Sequence, residues 1–520
     1  MMNLTLSRRV FLAGATALSV LAGGSTATLA AAPADTLVIA KPADPQSLDP
    51  AVTMDNNDWT VTYPAYQRLM KYETKDGKGL TSVTGDLADS WEASEDGLTW
   101  TFKLKDGQKF DDGTAVDANA VKFSFDRLFR IGQGPSEALP SGVEVTVVDP
   151  MTVSFKLGET YAPFLYALAN NGAAIVNPKV AEQGDDDGKA YLASNTAGSG
   201  PYRLANWERG QTITMEPNPH YGGDKPAIDK MRIVIIGEAS ARRLQLEAGD
   251  VDIAEALPED QLEALESKDG IAVQNYPSLR VTYLYMNNQK APLDNADVRR
   301  AISYAVDYEG LIDGILNGNG KQMHGPIPDG MWGRDESVIQ YNRNVDKAKE
   351  LLASAGADGA EITFLYSDVD PNWEPIAIAT QANLAEIGLN VKLEKLANAT
   401  MRERFDTGDF GMATGNWTPD FADPYMFTSY WFDSDRHGLA GNRSWYTNEK
   451  VDELLRKAAL SSDQAEREKL YAEVQKIVTD EAAYVYLFQK DYRIAMRDNV
   501  EGFVFNPMLL DIYNIAGMSK

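Results

Sequence analysis

The chain has 520 residues, 44% apolar and 24% charged, with 76 Asp and Glu against 49 Lys and Arg and a formal charge of −27. That length exceeds one ordinary domain and allows two or three packed cores. The acidic field repels polyphosphates and anionic lipid surfaces, so nucleic acid is not an expected partner. With no cysteine in the sequence, disulfides, thiol chemistry and a lipid-bearing cysteine are not expected either.

Residues 1–34 read as an export signal. Arg8 and Arg9 precede Val10, Phe11 and Leu12, an Ala/Gly-rich apolar run follows, and small residues surround Ala30. The paired arginines resemble the twin-arginine export signal, with cleavage expected between about Ala30 and Ala34. No later run approaches the roughly 20 apolar residues of a membrane helix, so direct membrane insertion is not expected. The expected location is the periplasm.

Residues 36–40 (TLVIA) form a short apolar strand. Trp100, Phe102 and Leu104 alternate with Thr101, Lys103 and Lys105, the period of a half-buried strand. Asp117 is placed to cap a helix through Val121, Phe125 and Leu128, and segments 143–148 and 151–157 read as a hairpin around Asp149 and Pro150. Residues 75–189 therefore read as a small α+β module. Strands at 213–216 and 231–236 follow, then a helix ending at Gly249. From 284 onward the pattern becomes βαβ: helices at 345–355, 375–387 and from Thr400, strands at 362–366, 391–396 and 410–413. Alternation of this length predicts a largely parallel sheet. Amphipathic helices at 451–459 and 465–478 and strand-like segments 484–488 and 500–505 complete the chain.

The segment 415–424, GNWTPDFADP, places Trp417 and Asp420 in a Pro-interrupted turn after the 410–413 strand. Ligands of open α/β sheets bind at such strand ends. The turn suits a ring and a carboxylate facing a cationic ligand group; it equally suits Trp417 in the core and Asp423 holding Pro424. Arg443 and Trp445, with Arg436 and His437, surround a glycine-containing loop that could meet a ligand carboxylate or simply be solvated. Helical spacing assigns Trp59, Tyr63 and Tyr66 to the core. Phe421, Tyr425, Phe427, Tyr430, Trp431 and Phe432 fit a half-buried helix, with sugar stacking as the alternative. No cofactor or metal motif is present: the three histidines, His220, His324 and His437, lie far apart in sequence, and neither HExxH nor GxSxG occurs.

Several stretches resemble the oligopeptide/dipeptide-binding family (family 5) of periplasmic solute receptors of ABC transporters. These are LADSWE at 87–92, GLTWTF at 97–102, KFDDGT at 109–114, GSGPY at 198–202, NNQKAPL at 287–293, DVRRA at 297–301 and the block 442–455, in family order. The resemblance implies an α/β, periplasmic binding protein-like fold of two lobes and a hinge, with an extra α+β domain inserted in the first lobe. The expected division is 35–74, 190–283 and 495–520 for lobe I, 75–189 for the inserted domain and 284–494 for lobe II. It also implies a monomeric receptor that hands its ligand to ABC permease subunits with cytoplasmic ATPases.

In peptide-binding members the acid matching Asp420 pairs with the ligand's ammonium, and Trp417 and Asn416 line the cleft. Asp55 and Asn56 lie near where the family's first lobe meets ligand. An arginine that grips the carboxylate of dipeptides has Ser367 in its place here. The implied function is capture of peptides or peptide-like amines rather than catalysis. An oligosaccharide or opine-like ligand, or a secreted hydrolase, are the alternatives.

Overall fold

The computed structural model describes residues 33–520 except 185, 368 and 440; the export segment up to residue 32 lies outside the described residues. Eleven strands form one sheet, in which the strand Ile271–Met286 and the strand Tyr484–Arg497 pair antiparallel along nearly their whole length. At one end these strands adjoin the first-lobe strands Ile253–Ala254, Thr36–Lys41, Lys230–Ile235, Thr212–Pro217 and Tyr202–Glu208. At the other they adjoin the second-lobe strands Met412–Trp417, Glu361–Tyr366 and Asn390–Lys395. The two long strands thus run through both lobes, with a break in register between Pro277 and Val281.

The sheet is mixed rather than largely parallel. Glu361–Tyr366 runs parallel to Asn390–Lys395 around the helix Trp373–Glu386, and to Met412–Trp417 on its other side. Thr36–Lys41 is also parallel to Lys230–Ile235 and Ile253–Ala254. Antiparallel pairs are made by the two long strands, whose mixed polar and apolar residues hide their length from a periodicity argument, and by the first-lobe run Lys230–Ile235, Thr212–Pro217 and Tyr202–Glu208. Residues 500–505, expected as a strand, carry only a bridge from Glu501 to Ser519; Gly502 turns the chain there with φ 72°.

The strand Thr36–Lys41 shows why both faces of the first-lobe sheet are covered. Leu37 and Ile39 enter one core with Val61, Tyr66 and Met231, while Val38 and Ala40 enter another with Leu246, Val251 and Leu262. Alternate residues point to opposite faces, so a strand apolar throughout needs a layer on each side. The inserted domain is a four-stranded antiparallel sheet, Ala88–Ala93, Thr99–Leu104, Thr152–Lys156 and Glu144–Asp149, backed by the helix Ala118–Ile131. Asp117 caps that helix by accepting from the Ala120 amide at 2.9 Å, and Gly132 ends it in the left-handed region.

Arg127 of this helix reaches out of the inserted domain to Asp49 of the first lobe. Its guanidinium donates two hydrogen bonds, 2.8 and 2.5 Å, to the carboxylate, with both side chains 1% exposed. Breaking such a pair strands a charge in the interior and costs about 3–5 kcal/mol, whereas replacing both partners by apolar groups is far cheaper. Arg127→Met is therefore expected to lower unfolding stability in urea by about 3–5 kcal/mol. Adding Asp49→Leu to that variant is expected to recover much of the loss.

Candidate functional site

Asn416 and Trp417 belong to the strand Met412–Trp417 itself, not to a turn beyond it, and pair with Thr282 and Val281. The strand outlasts its apolar stretch because Gly415 lets the rings of Tyr283 and Tyr285 lie against its backbone; a Cβ there would come within 2.4–2.6 Å of them. Trp417 stacks on Tyr430, ring centroids 4.9 Å apart at 29°, with the Arg443 guanidinium 5.9 Å from its ring. The Asn416 amide donates to Asp370 at 2.9 Å, and Asp370 also receives Arg280 at 3.2 Å. Ser367 is buried.

The two acids of the turn have opposite environments. Asp423 is 0% exposed, accepts from the Tyr425 amide at 2.9 Å, and meets Arg467 through two 2.7 Å hydrogen bonds. Arg467 comes from the helix Gln464–Asp480 and also donates to Tyr471 and to the Ala458 carbonyl. Trp332 adds a further tie, its indole N–H donating to the Ala422 carbonyl at 3.1 Å. The turn is thus clamped from behind.

Asp420 faces the cleft. Its backbone carbonyl accepts from the Asn170 amide, 3.1 Å away on the opposite wall. No ion pair or hydrogen bond from the described residues compensates its carboxylate. The group is open to solvent yet crowded by protein on several sides. Desolvation pushes its pKa up to about 6, and repulsion from Glu137 adds to the rise.

Asp420 stands where two cavities meet. The larger, of about 620 Å³, lies between Trp59, Pro135 and Tyr161 on one side and Phe421, Tyr430 and Arg436 on the other. The smaller, of about 140 Å³, is lined by Asn56, Trp59, Tyr63, Asn170 and Thr418. Two arginines reach the larger space. Arg456 is matched by Asp433 and Asp435 at 3.0 and 2.7 Å, while Arg436 donates to the Tyr425 hydroxyl at 2.7 Å. A carboxylate without a cation at one point, and aromatic walls around it, suit an ammonium-bearing ligand with an apolar body.

The other residues singled out from the sequence fall into different places. Asn56 lines the smaller cavity beside Asp420, but Asp55 caps the helix Asn56–Ala65 by accepting from the Asn57 amide at 2.8 Å. Arg443 is half-buried and donates to the Tyr285 hydroxyl and the Leu439 carbonyl, both at 3.2 Å. Trp445 packs as a structural ring rather than on the cleft. Its indole donates to the Phe405 carbonyl at 3.1 Å, it stacks on His437 at 5.1 Å, and it lies against Gly408.

Trp59, assigned to the core by its spacing, lines both cavities. A helix presenting its ring to a cleft has the same period as one presenting it to a core. Tyr161 and Glu137 carried no local signal, because they reach the cleft from the inserted domain through tertiary placement alone.

This architecture defines a two-lobed solute receptor with a cleft between its lobes. The family model described as bacterial extracellular solute-binding proteins, family 5 middle, matches residues 82–438, and the chain belongs to that family. It is 59% identical over 492 residues to the probable D,D-dipeptide-binding periplasmic protein DdpA of Escherichia coli K12, covering 94% of this chain and 95% of the relative. Among solved structures it resembles HbpA2 from Haemophilus parasuis, with a TM-score of 0.85, 29% identity and coverage of 93% and 99% of the two chains. The periplasmic binding protein DppA from Helicobacter pylori in complex with peptide STSA matches with a TM-score of 0.74 and 29% identity, over 92% and 98% of the chains. No described helix is long and apolar enough to cross a membrane.

The contrast between the two acids makes a stability prediction. Asp423→Ala leaves Arg467 buried without its partner and is expected to cost about 3–5 kcal/mol in denaturant unfolding. Asp420→Asn removes an uncompensated charge and is expected to leave the melting temperature at pH 7.5 unchanged or higher.

Proposed function

We propose that this protein captures a D,D-dipeptide in the periplasm and hands it to the permease subunits of an ABC importer driven by cytoplasmic ATPases. The observation that carries the ligand assignment is Asp420, a carboxylate at the junction of two cleft cavities with no cation of its own. A ligand ammonium supplies the missing charge. The similarity to DdpA over almost the whole chain supports a dipeptide of D configuration. The cleft of about 620 Å³ falls within the ordinary range for small-molecule sites, roughly 300–1,000 Å³.

In this reading the receptor acts as a monomer, its export segment removed between about Ala30 and Ala34. Closure is a population shift toward the state in which ligand touches both lobes, with Asn170 and Asp420 already in contact across the cleft. The inserted domain and the first lobe supply Tyr161 and Trp59 as one wall, and the second lobe supplies Phe421, Tyr430 and Asp420 as the other. Binding here needs no chemical change in the ligand.

Titration calorimetry with D-alanyl-D-alanine, its L,L isomer and its N-acetyl derivative tests the assignment. The D,D compound is expected to bind most tightly. Asp420→Asn is expected to weaken it by roughly 30-fold or more and to leave the N-acetyl compound unaffected. Preference for the L,L isomer would remove the stereochemical part, and equal losses for amine and acetyl compounds would remove the ammonium role.

The pH dependence has a definite sign. The free receptor's Asp420 takes up a proton as pH falls through about 6, and only the ionised form pairs with an ammonium. Affinity is therefore full above that pH and is expected to fall about tenfold per unit below it. Asp420→Asn is expected to flatten the profile.

A further inference from the structure

A third cavity, of about 330 Å³, lies beyond the smaller cleft cavity and shares Tyr63, Tyr72, Leu509 and Ile512 with it. Its wall includes Arg68, which is only 3% exposed. The Arg68 guanidinium lies 3.6 Å from the ring centroid of Tyr63, a cation–π contact that fixes its plane. Its Nε and Nη1 nevertheless have no hydrogen-bond partner among the described residues. Buried guanidinium hydrogens left unshared cost free energy, and an oxyanion is their natural partner because the fork matches its two oxygens.

The neighbouring charges do not supply that partner. Asp86 stands beside Arg68, but its oxygens accept from the Arg68 backbone amide at 3.0 Å and from the Gln67 side-chain amide at 3.1 Å. Lys71, at 4.0 Å, offsets the charge of Asp86 from the cavity rim. The Oε1 of Gln67 is likewise buried without a partner among the described residues. Such a positive pocket is unusual in a chain of formal charge −27, where the general field opposes anions.

We propose that this cavity is an oxyanion site in which Arg68 holds a carboxylate-sized group, one aromatic layer away from Asp420. The group is either the carboxylate of a ligand whose ammonium sits on Asp420 or a free small anion that fills the chamber independently. Both sources share the same recognition chemistry, a planar or tetrahedral oxyanion against a stacked guanidinium. The first source rests on the Asp420 reading above and the second does not; simple anions test the site under either.

The experiment compares thermal unfolding of the ligand-free receptor in formate, acetate or phosphate with that in chloride, at fixed ionic strength. A saturable rise in melting temperature is expected for the wild type and for Arg68→Lys, and none for Arg68→Gln. Calorimetry with a dipeptide and its C-terminal amide then separates the sources. If the ligand's own carboxylate fills the site, Arg68→Gln weakens the dipeptide by about tenfold or more, spares the amide, and formate competes with the dipeptide. If a free anion fills it, formate stabilisation adds to that of the dipeptide and Arg68→Gln leaves dipeptide affinity unchanged. The wild-type measurement needs no variant, so a misfolded Arg68→Gln does not blunt the test. Absence of any anion-specific stabilisation of the wild type would overturn the proposal.

Discussion

Two carboxylates three residues apart, one neutralised and one not, organise the cleft of this protein. Asp423 meets Arg467 in a buried, doubly hydrogen-bonded pair, and that pair holds the turn from Ala422 to Tyr425 against the helix Gln464–Asp480. With the turn immobilised from behind, Asp420 is presented to the cleft without a counter-charge. Water and a fluctuating loop would normally let such a group find a partner or reorient. The clamp denies it that freedom, and the proposed ammonium contact rests on the carboxylate that this leaves without a counter-charge.

The long strands Ile271–Met286 and Tyr484–Arg497 give this local arrangement its larger setting. They connect two lobes through paired backbone rather than through loose linkers, and their register breaks between Pro277 and Val281. The second-lobe strand Met412–Trp417 pairs with one of them and delivers the Asp420 turn at its end. The inserted domain faces that turn, tied to the first lobe by the buried pair of Arg127 and Asp49. Asp420 therefore sits where three separately built units converge, and a ligand bridging them favours the closed arrangement.

Local chemistry made much of this visible in the sequence. Asp117 as a helix cap, Gly249 as a helix end, and the alternation of Trp100, Phe102 and Leu104 are short-range signals, and the structure realises each of them. The separation of Asp420 from Asp423 was readable in part, since an acid before proline favours a turn-holding role. Its actual basis, Arg467, lies 44 positions away, and no periodicity links the two. Trp417 was misplaced into a turn because Thr414 and Gly415 break the apolar pattern of a strand that persists through pairing with Ile271–Met286. Trp445 looked like a candidate contact, but its ring fills the space that Gly408 leaves open. Trp59 erred in the opposite direction, since helical spacing cannot distinguish a core from a cleft.

With its pKa raised to about 6, Asp420 in the proposed reading is shared between protonated and ionised forms at pH 6 and is drawn to the ionised form by a ligand ammonium. Calorimetry of D-alanyl-D-alanine binding at pH 6, repeated in buffers of different ionisation enthalpy, counts the protons exchanged. Release of roughly half a proton per ligand bound is expected, as a half-titrated carboxylate becomes fully ionised. Binding with no proton release, or equal release by Asp420→Asn, would contradict it.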